Sequence, residues 1–203
     1  MKAKLKRKRD KHRIKEIERN IDFLYENTPY YCVDSVPKTF SSERIFKDGY
    51  FDWDDEKNLP DFADKIVEIT FALINYDYAE IYLPVSRWPK NKGKFHKYVG
   101  WNIRKLDYPT LEEIIKHIIL KWQGKMIIVF TDQNHQEFYM DIRDEWETTF
   151  LNLRGHNLEL VRQLVKSKGL FLPKIENDLD YWKDLEKSWQ DKNYKRWKKF
   201  YKK

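Results

Sequence analysis

The chain has 203 residues, which suits one domain, or one domain with terminal extensions. Of these residues, 16% are aromatic, which provides enough large apolar area to exclude disorder of the whole chain. A lone cysteine, Cys32, excludes an internal disulfide and is typical of a reducing compartment, so we expect a cytoplasmic protein. No run of about 18 apolar residues and no apolar signal segment is present, so we expect no contact with a membrane.

The net charge of +7 is unevenly distributed along the chain. Residues 1–13 carry eight Lys or Arg against Asp10, and residues 192–203 carry seven with no acid, so the body between them has a net charge of −7. Seven acids against Lys57 lie between Asp48 and Asp64, and they account for most of the negative charge. The charge balance alone therefore does not make the body a nucleic-acid binder.

The first predicted element is a helix over residues 4–27. Its apolar residues recur at helical spacing: Ile14, Ile17, Ile21 and Leu24. The basic first turns lack an apolar face, so we expect them to fray as a solubilising end. The functional alternatives are an arm that contacts phosphate and an arm that docks on the acidic body. Residues 28–58 are predicted to be an irregular segment whose many aromatic side chains pack against the rest of the domain.

The middle of the chain alternates helices and strands. Residues 58–75 are predicted to be a helix with Pro60 in its first turn. A strand over residues 79–85, a basic turn over 87–94 and a returning strand over 99–103 follow. The clearest helix spans residues 110–122, where Thr110 and Glu113 form a capping box, and it ends before Gly124.

A β-hairpin is predicted over residues 125–147. Residues 126–131 are an unbroken apolar run, typical of a buried strand, and the polar residues 132–136 favour a turn. From Phe138 to Arg143 apolar and polar residues alternate, which predicts a half-exposed strand. Residues 145–153 fit either a helix or a third strand. A helix over 158–168 stopped by Gly169, a short edge strand over 170–172 and a last helix from residue 177 or 178 complete the chain.

The connections within both strand pairs are too short for a crossover helix, so the pairs are predicted to be antiparallel, with helices on one face of the sheet. The fold class is therefore α+β: a single small domain with antiparallel β-hairpins packed against helices, plus basic N- and C-terminal helical extensions. The predicted boundaries are 1–27 for the basic N-terminal arm and helix, 28–175 for the α+β domain, and 176–203 for the C-terminal aromatic and basic helix.

Catalytic motifs are not evident. The chain lacks a glycine-rich phosphate loop, a nucleophile elbow and a zinc-protease helix, and its five histidines share no metal-ligand spacing. Asp132 and Asp141 flank the hairpin turn and offer one alternative, a metal-dependent nuclease with acids on adjacent strands. We expect no enzyme activity, no bound metal and no cofactor. An enzyme of unmatched type is the third hypothesis, and it predicts a concave pocket with converging titratable side chains.

The acidic, aromatic stretch before the second helix supports our main functional prediction. Interface cores favour aromatic side chains, and charge complementarity selects the partner. We therefore predict a non-catalytic protein-binding module with a basic protein partner, in concrete form an inhibitor or immunity-type protein that masks a basic effector. The predicted partner-binding residues are Tyr50, Phe51, Asp52, Trp53, Asp54, Asp55 and Glu56.

The alternative is a nucleic-acid-binding accessory protein that uses residues 87–105 and the basic termini. No acid lies between Ser86 and Leu106, and aromatic residues alternate with cations there. Cations follow a phosphate backbone, while aromatic rings stack on unpaired bases. The residues predicted for this role are Arg87, Trp88, Lys90, Lys92, Lys94 and Lys97.

Overall fold

The computed structural model describes residues 2–35, 55–84, 93–121, 123–143 and 146–176. The strands in these ranges are β1 (Tyr30–Val33), β2 (Tyr78–Tyr82), β3 (Met126–Thr131), β4 (Glu137–Ile142), β5 (Thr148–Leu151) and β6 (Lys174–Ile175). The α-helices in the same ranges are α1 (Lys2–Asn27), α2 (Asp55–Tyr76), α3 (Tyr108–Lys121) and α4 (Gly155–Ser167). The strands form one antiparallel sheet in the order β2–β3–β4–β5–β1–β6. The predicted α+β class is confirmed.

Helices cover both faces of this sheet, so the prediction of helices on one face is wrong. On one face, α2, α3 and α4 enclose the larger core together with Ile128, Met140 and their neighbours. On the other, Ile17 and Ile21 of α1 pack against Ile127 in a smaller core. Residues 138–142 are consequently all buried, whereas alternation alone predicted a half-exposed strand. Within that strand, buried Asp141 accepts a hydrogen bond from the Tyr25 hydroxyl of α1 rather than from water.

The predicted hairpin is confirmed, with Met126 opposite Ile142 and Thr131 opposite Glu137. Its turn is organised by Asp132, whose Oδ1 accepts the backbone N–H groups of Asn134 at 2.8 Å and of Gln136 at 2.9 Å. A short side chain that bonds the backbone ahead of it is the usual way in which Asp favours a turn.

The four helices given above all begin two or three residues earlier than predicted, and in two of them this changes a predicted feature. The capping box of Thr110 and Glu113 is wrong, because Oδ1 of Asp107 accepts the backbone N–H of Thr110 at 2.8 Å and α3 begins at Tyr108. The side-chain and backbone hydrogen bonds from Thr110 also lower the pKa of Asp107. Helix α2 begins at Asp55, so Pro60 lies in its second turn rather than its first.

The strand predictions need three corrections. Strand β1 lies in a stretch that was predicted to be irregular, because YYCV is short and shows no alternation. The returning strand over residues 99–103 is only an isolated bridge between Asn102 and Tyr82. Residues 170–172 contribute one bridge, between Phe171 and Asp34, and the edge strand is β6. For residues 145–153, where the sequence fitted either a helix or a strand, the structure has the strand β5.

The predicted helix from residue 177 or 178 lies outside the described residues, so the C-terminal extension stays a prediction. In the part of the chain that the structure describes, no helix combines the length and the apolar composition needed to cross a bilayer.

Candidate functional site

The residues predicted to bind a protein partner fall mostly outside the described ranges. Five of them lie outside: Tyr50, Phe51, Asp52, Trp53 and Asp54. The backbone of α2 begins with the other two, Asp55 and Glu56. Of the residues predicted to bind nucleic acid, Arg87, Trp88, Lys90 and Lys92 are also outside. Lys94 and Lys97 are described, and they lie on the segment from residue 93 to 107 that leads into α3.

This segment is fixed to the edge of the sheet at β2. The backbone N–H groups of Gly100 and Ile103 donate to the carbonyls of Leu83 at 2.9 Å and Ile81 at 2.8 Å. Phe95 and Ile103 are buried in the larger core. A single turn of 3₁₀-helix over His96–Tyr98 then reverses the chain, and Gly100 continues the reversal at φ 82°. These anchors give the exposed side chains of the segment defined positions.

Between the anchors lies an open groove of about 280 Å³, here called the edge groove. Its lining residues come from one short stretch of chain: Lys97, Tyr98, Trp101, Asn102, Ile103, Lys105 and Leu106. Tyr98 and Trp101 pack against the larger core and remain partly exposed. The groove therefore presents two anchored aromatic rings between two exposed lysines.

The cations around the edge groove differ in how strongly they are held. Lys94 forms an ion pair with Glu113 of α3, so its charge is partly neutralised. The Nζ atom of Lys97 lies 4.8 Å from the ring centre of Tyr98, and the guanidinium of Arg104 lies 4.5 Å from the ring centre of Tyr78. Among the described residues, no carboxylate pairs with Lys97, Arg104 or Lys105. Three positive charges beside the groove are thus available to an anionic ligand.

The nuclease hypothesis fails on geometry. The register places Asp141 opposite Ile127, whereas Asp132 follows the far end of β3. Five residues of strand separate the two positions, which is about 17 Å. The two carboxylates therefore cannot share a metal ion, and this alternative is wrong.

Asp141 instead belongs to a buried ionic network at one end of the smaller core. Its Oδ2 atom lies 2.9 Å from Nζ of Lys125 and 3.0 Å from Nε of Arg143, and it accepts a 3.1 Å hydrogen bond from the Tyr25 hydroxyl. The Tyr25 hydroxyl also hydrogen bonds to Thr149. Burial and the charge of Asp141 raise the pKa of Tyr25 well above its ordinary value. Because the bond from Tyr25 of α1 reaches Asp141 of β4, this network holds α1 on the sheet, although Oδ1 of Asp141 has no hydrogen-bond partner among the described residues.

A second titratable cluster lies at the opposite end of β3. Asp77 is buried, and its Oδ2 atom has no hydrogen-bond partner among the described residues. Burial and the nearby Asp132 raise the pKa of Asp77. Bonds from Gln136 and Asn157 lower the pKa of Asp132. Within the described ranges, no three His, Cys, Asp or Glu side chains converge as a metal site.

Sequence reasoning missed two residues that contact the segment carrying the edge groove. Tyr78, which is 54% exposed, receives Arg104, although a tyrosine at a strand start is no signal of that contact. Asp10 accepts the backbone N–H of Asn102 at 3.2 Å. A signal for Asp10 did exist, since it is the lone acid among the cations of residues 1–13.

The comparisons with known proteins give no relative: no family model, no curated protein and no solved structure matches this chain.

Proposed function

We propose that this protein binds nucleic acid and that the edge groove is its contact surface. The observation that carries the proposal is the pairing of two core-anchored aromatic rings, Tyr98 and Trp101, with two exposed lysines, Lys97 and Lys105. The protein-binding prediction stays a prediction, since most of its residues lie outside the described ranges.

The chemistry of the groove suits a phosphate-linked chain of bases. Lysines attract the backbone and release counterions on binding, so affinity falls steeply with salt. An exposed aromatic face stacks on a base, which contributes about 1–3 kcal/mol per base with little dependence on sequence. The groove is open and smaller than most small-molecule pockets, which fits a base laid on a surface better than an enclosed metabolite.

The test is a salt series of oligonucleotide titrations on the full chain, with tryptophan fluorescence and anisotropy as readouts. The groove variant is Lys97→Gln with Lys105→Gln. Its matched control is Lys121→Gln with Lys166→Gln, which removes the same charge from exposed lysines on α3 and α4. We expect the groove variant to bind at least about tenfold more weakly and to reduce the slope of log K against log salt by about 1.4, since each phosphate contact on a single strand contributes about 0.7.

Equal affinity of the groove variant and its control would contradict the proposal, and so would failure of the wild-type chain to bind any oligonucleotide. A third variant, Trp101→Leu, keeps an apolar side chain against the core and removes the ring. We expect it to lose affinity with an unchanged salt slope, because stacking releases no counterions.

The protein-binding module is the second candidate. The observation that favours it is that Asp55 and Glu56 begin α2, whose Leu59 and Phe62 are buried in the larger core. The acidic stretch is thereby attached to a rigid element, and a rigid support lowers the entropy lost on binding. Charge reversal of Asp52, Asp54 and Asp55 tests it: an identified basic partner should be lost, and unchanged binding would place the contact elsewhere.

A further inference from the structure

Helix α1 crosses the face of the sheet that carries the smaller core, and its polar contacts define its direction. Near its C-terminal end, Tyr25 meets Asp141 on β4. Three turns earlier, Arg13 bonds Glu80 on β2 with an Nε to Oε2 distance of 3.1 Å, and it also pairs with Glu137 on β4. The helix therefore runs from the middle of the sheet towards its β2 edge, where the edge groove lies.

The helix continues beyond that edge. Asp10 is 7% exposed, and its Oδ2 atom accepts the backbone N–H of Asn102, which lines the edge groove. Residues 2–9 precede this contact as helical backbone and extend the helix by about 12 Å. Their sequence contains six Lys or Arg and no acid. These residues, here called the basic arm, thus start at the groove rather than at a distant end of the molecule.

We infer that the basic arm and the edge groove form one continuous binding surface for single-stranded nucleic acid. The phosphates lie along the arm, and unpaired bases stack on Tyr98 and Trp101. This inference rests on the proposed function, and it adds the path of the ligand and its single-stranded form. It also assigns Asp10 a positioning role, because Asp10 joins the two parts of the surface.

The single strand follows from the shape of the groove. A base reaches an aromatic ring in a concave site only if its own face is free, whereas the bases of a duplex are stacked on each other. A duplex therefore gains only phosphate contacts here. The fixed angle of α1 matters for a separate reason: two parts that are already aligned bind one chain with a higher effective concentration than two parts joined flexibly.

The first test compares Asp10→Ala with Asp10→Asn in the full chain. Both variants remove one negative charge, but only asparagine retains a side-chain oxygen that accepts from Asn102. The probes are labelled oligothymidine and oligouridine of twelve nucleotides, oligothymidine of three nucleotides, and a twelve-base-pair duplex. We expect Asp10→Ala to bind both twelve-nucleotide strands at least about fivefold more weakly than Asp10→Asn does. The three-nucleotide strand, too short to reach both parts, should bind the two variants equally.

A second pair of variants covers the case in which Asp10→Ala disturbs the fold. His12 is exposed, and His12→Pro interrupts the helix between the arm and the body without changing the formal charge. His12→Ala keeps the helix and serves as the control. We expect His12→Pro to weaken binding of the twelve-nucleotide strands while far-ultraviolet circular dichroism shows a folded sheet.

The outcomes separate the inference from the proposed function. Equal binding within both pairs would mean that the arm acts as an independent cationic tether and would overturn the inference, while the groove variants continue to test the function. Duplex binding as tight as single-strand binding would also overturn it. The proposed function itself would be overturned if the wild-type chain bound no oligonucleotide, or if the groove variants bound as tightly as their control.

Discussion

The backbone N–H of Asn102 donates a hydrogen bond to Oδ2 of Asp10 at 3.2 Å, across 92 positions of sequence. This bond joins the N-terminal part of α1 to the wall of the edge groove. It uses the one acid of a strongly basic stretch, and that acid is buried. From Asp10 onwards, α1 is therefore a positioned helix rather than a frayed one.

Asp10→Ala is expected to lower the free energy of unfolding by about 1 kcal/mol, because a partly buried N–H loses its acceptor. Asp10→Asn should lower it less, since an acceptor oxygen remains. Urea denaturation of both variants measures the difference. Equal stability of the two would indicate that water replaces the bond without cost.

Asp141→Asn is expected to cost about 3–5 kcal/mol of unfolding free energy, because it leaves the buried Lys125 and the neighbouring Arg143 without their counter-charge. Glu147→Gln is the control, since its pair with Arg143 is exposed and such pairs contribute at most about 1 kcal/mol. Chemical denaturation gives both numbers. A loss below about 1 kcal/mol for Asp141→Asn would contradict a structural role for the network.

Arg13 is expected to couple to Glu80 by about 1 kcal/mol in a double-mutant cycle of Arg13→Gln and Glu80→Gln. The pair joins α1 to the edge strand β2, and both side chains are about three-quarters buried. The exposed pair of Arg162 and Glu159 should couple much more weakly, because solvent screens both charges. Repeating the cycles at high salt checks the cause, because screening reduces the exposed pair more than the partly buried one.

Alkaline pH is expected to destabilise the fold through its buried tyrosines. Burial and the hydrogen bond to Glu137 raise the pKa of Tyr139 to about 12, and burial also raises the pKa of Tyr25 and of Tyr82 above the ordinary value. The unfolded chain loses these protons near pH 10, and the folded chain retains them. The free energy of unfolding should therefore be fully present below pH 10 and fall between pH 10 and 12.

Tyr139→Phe tests the pH effect, because it should make the decline between pH 10 and 12 shallower. Tyr78→Phe, at a ring that is 54% exposed, is the matched control for the loss of a tyrosine hydroxyl. Parallel profiles for wild type and Tyr139→Phe would exclude Tyr139 as a cause of the decline.

Asp77→Asn is expected to raise the free energy of unfolding at neutral pH by about 1 kcal/mol. In the wild-type chain, the buried charge of Asp77 is repelled by Asp132, and its Oδ2 atom has no hydrogen-bond partner among the described residues. The substitution removes this charge. Because the folded pKa of Asp77 is raised, its unfavourable charge disappears as the carboxyl is protonated, so the gain should shrink in acid. Denaturation midpoints at neutral and at acidic pH measure it, and a gain independent of pH would point to packing instead.

Local pattern was sufficient for the elements that carry their own signal. The apolar run of β3 and the helical spacing in α3 predicted both elements, because each buries a face that its own sequence defines. The second covered face could not be predicted in this way. Alternation alone places Tyr139 and Asp141 on an exposed face. That face is covered by α1, whose Tyr25 and Arg13 contact β4 from more than a hundred positions away in the sequence. The edge groove was anticipated only as a basic aromatic stretch, since its depth depends on contacts with Ile81 and Leu83.

The most direct measurement is a cross-linking map of the full chain with a photoreactive oligouridine of twelve nucleotides, read out by mass spectrometry of the cross-linked peptides. We predict cross-links to the peptides that contain Tyr98 or Trp101, with further cross-links in residues 2–9. Excess unlabelled single strand should remove them, and an equal amount of duplex should not. Cross-links confined to other parts of the chain, such as residues 192–203, or no cross-link at all, would contradict nucleic-acid binding at the edge groove.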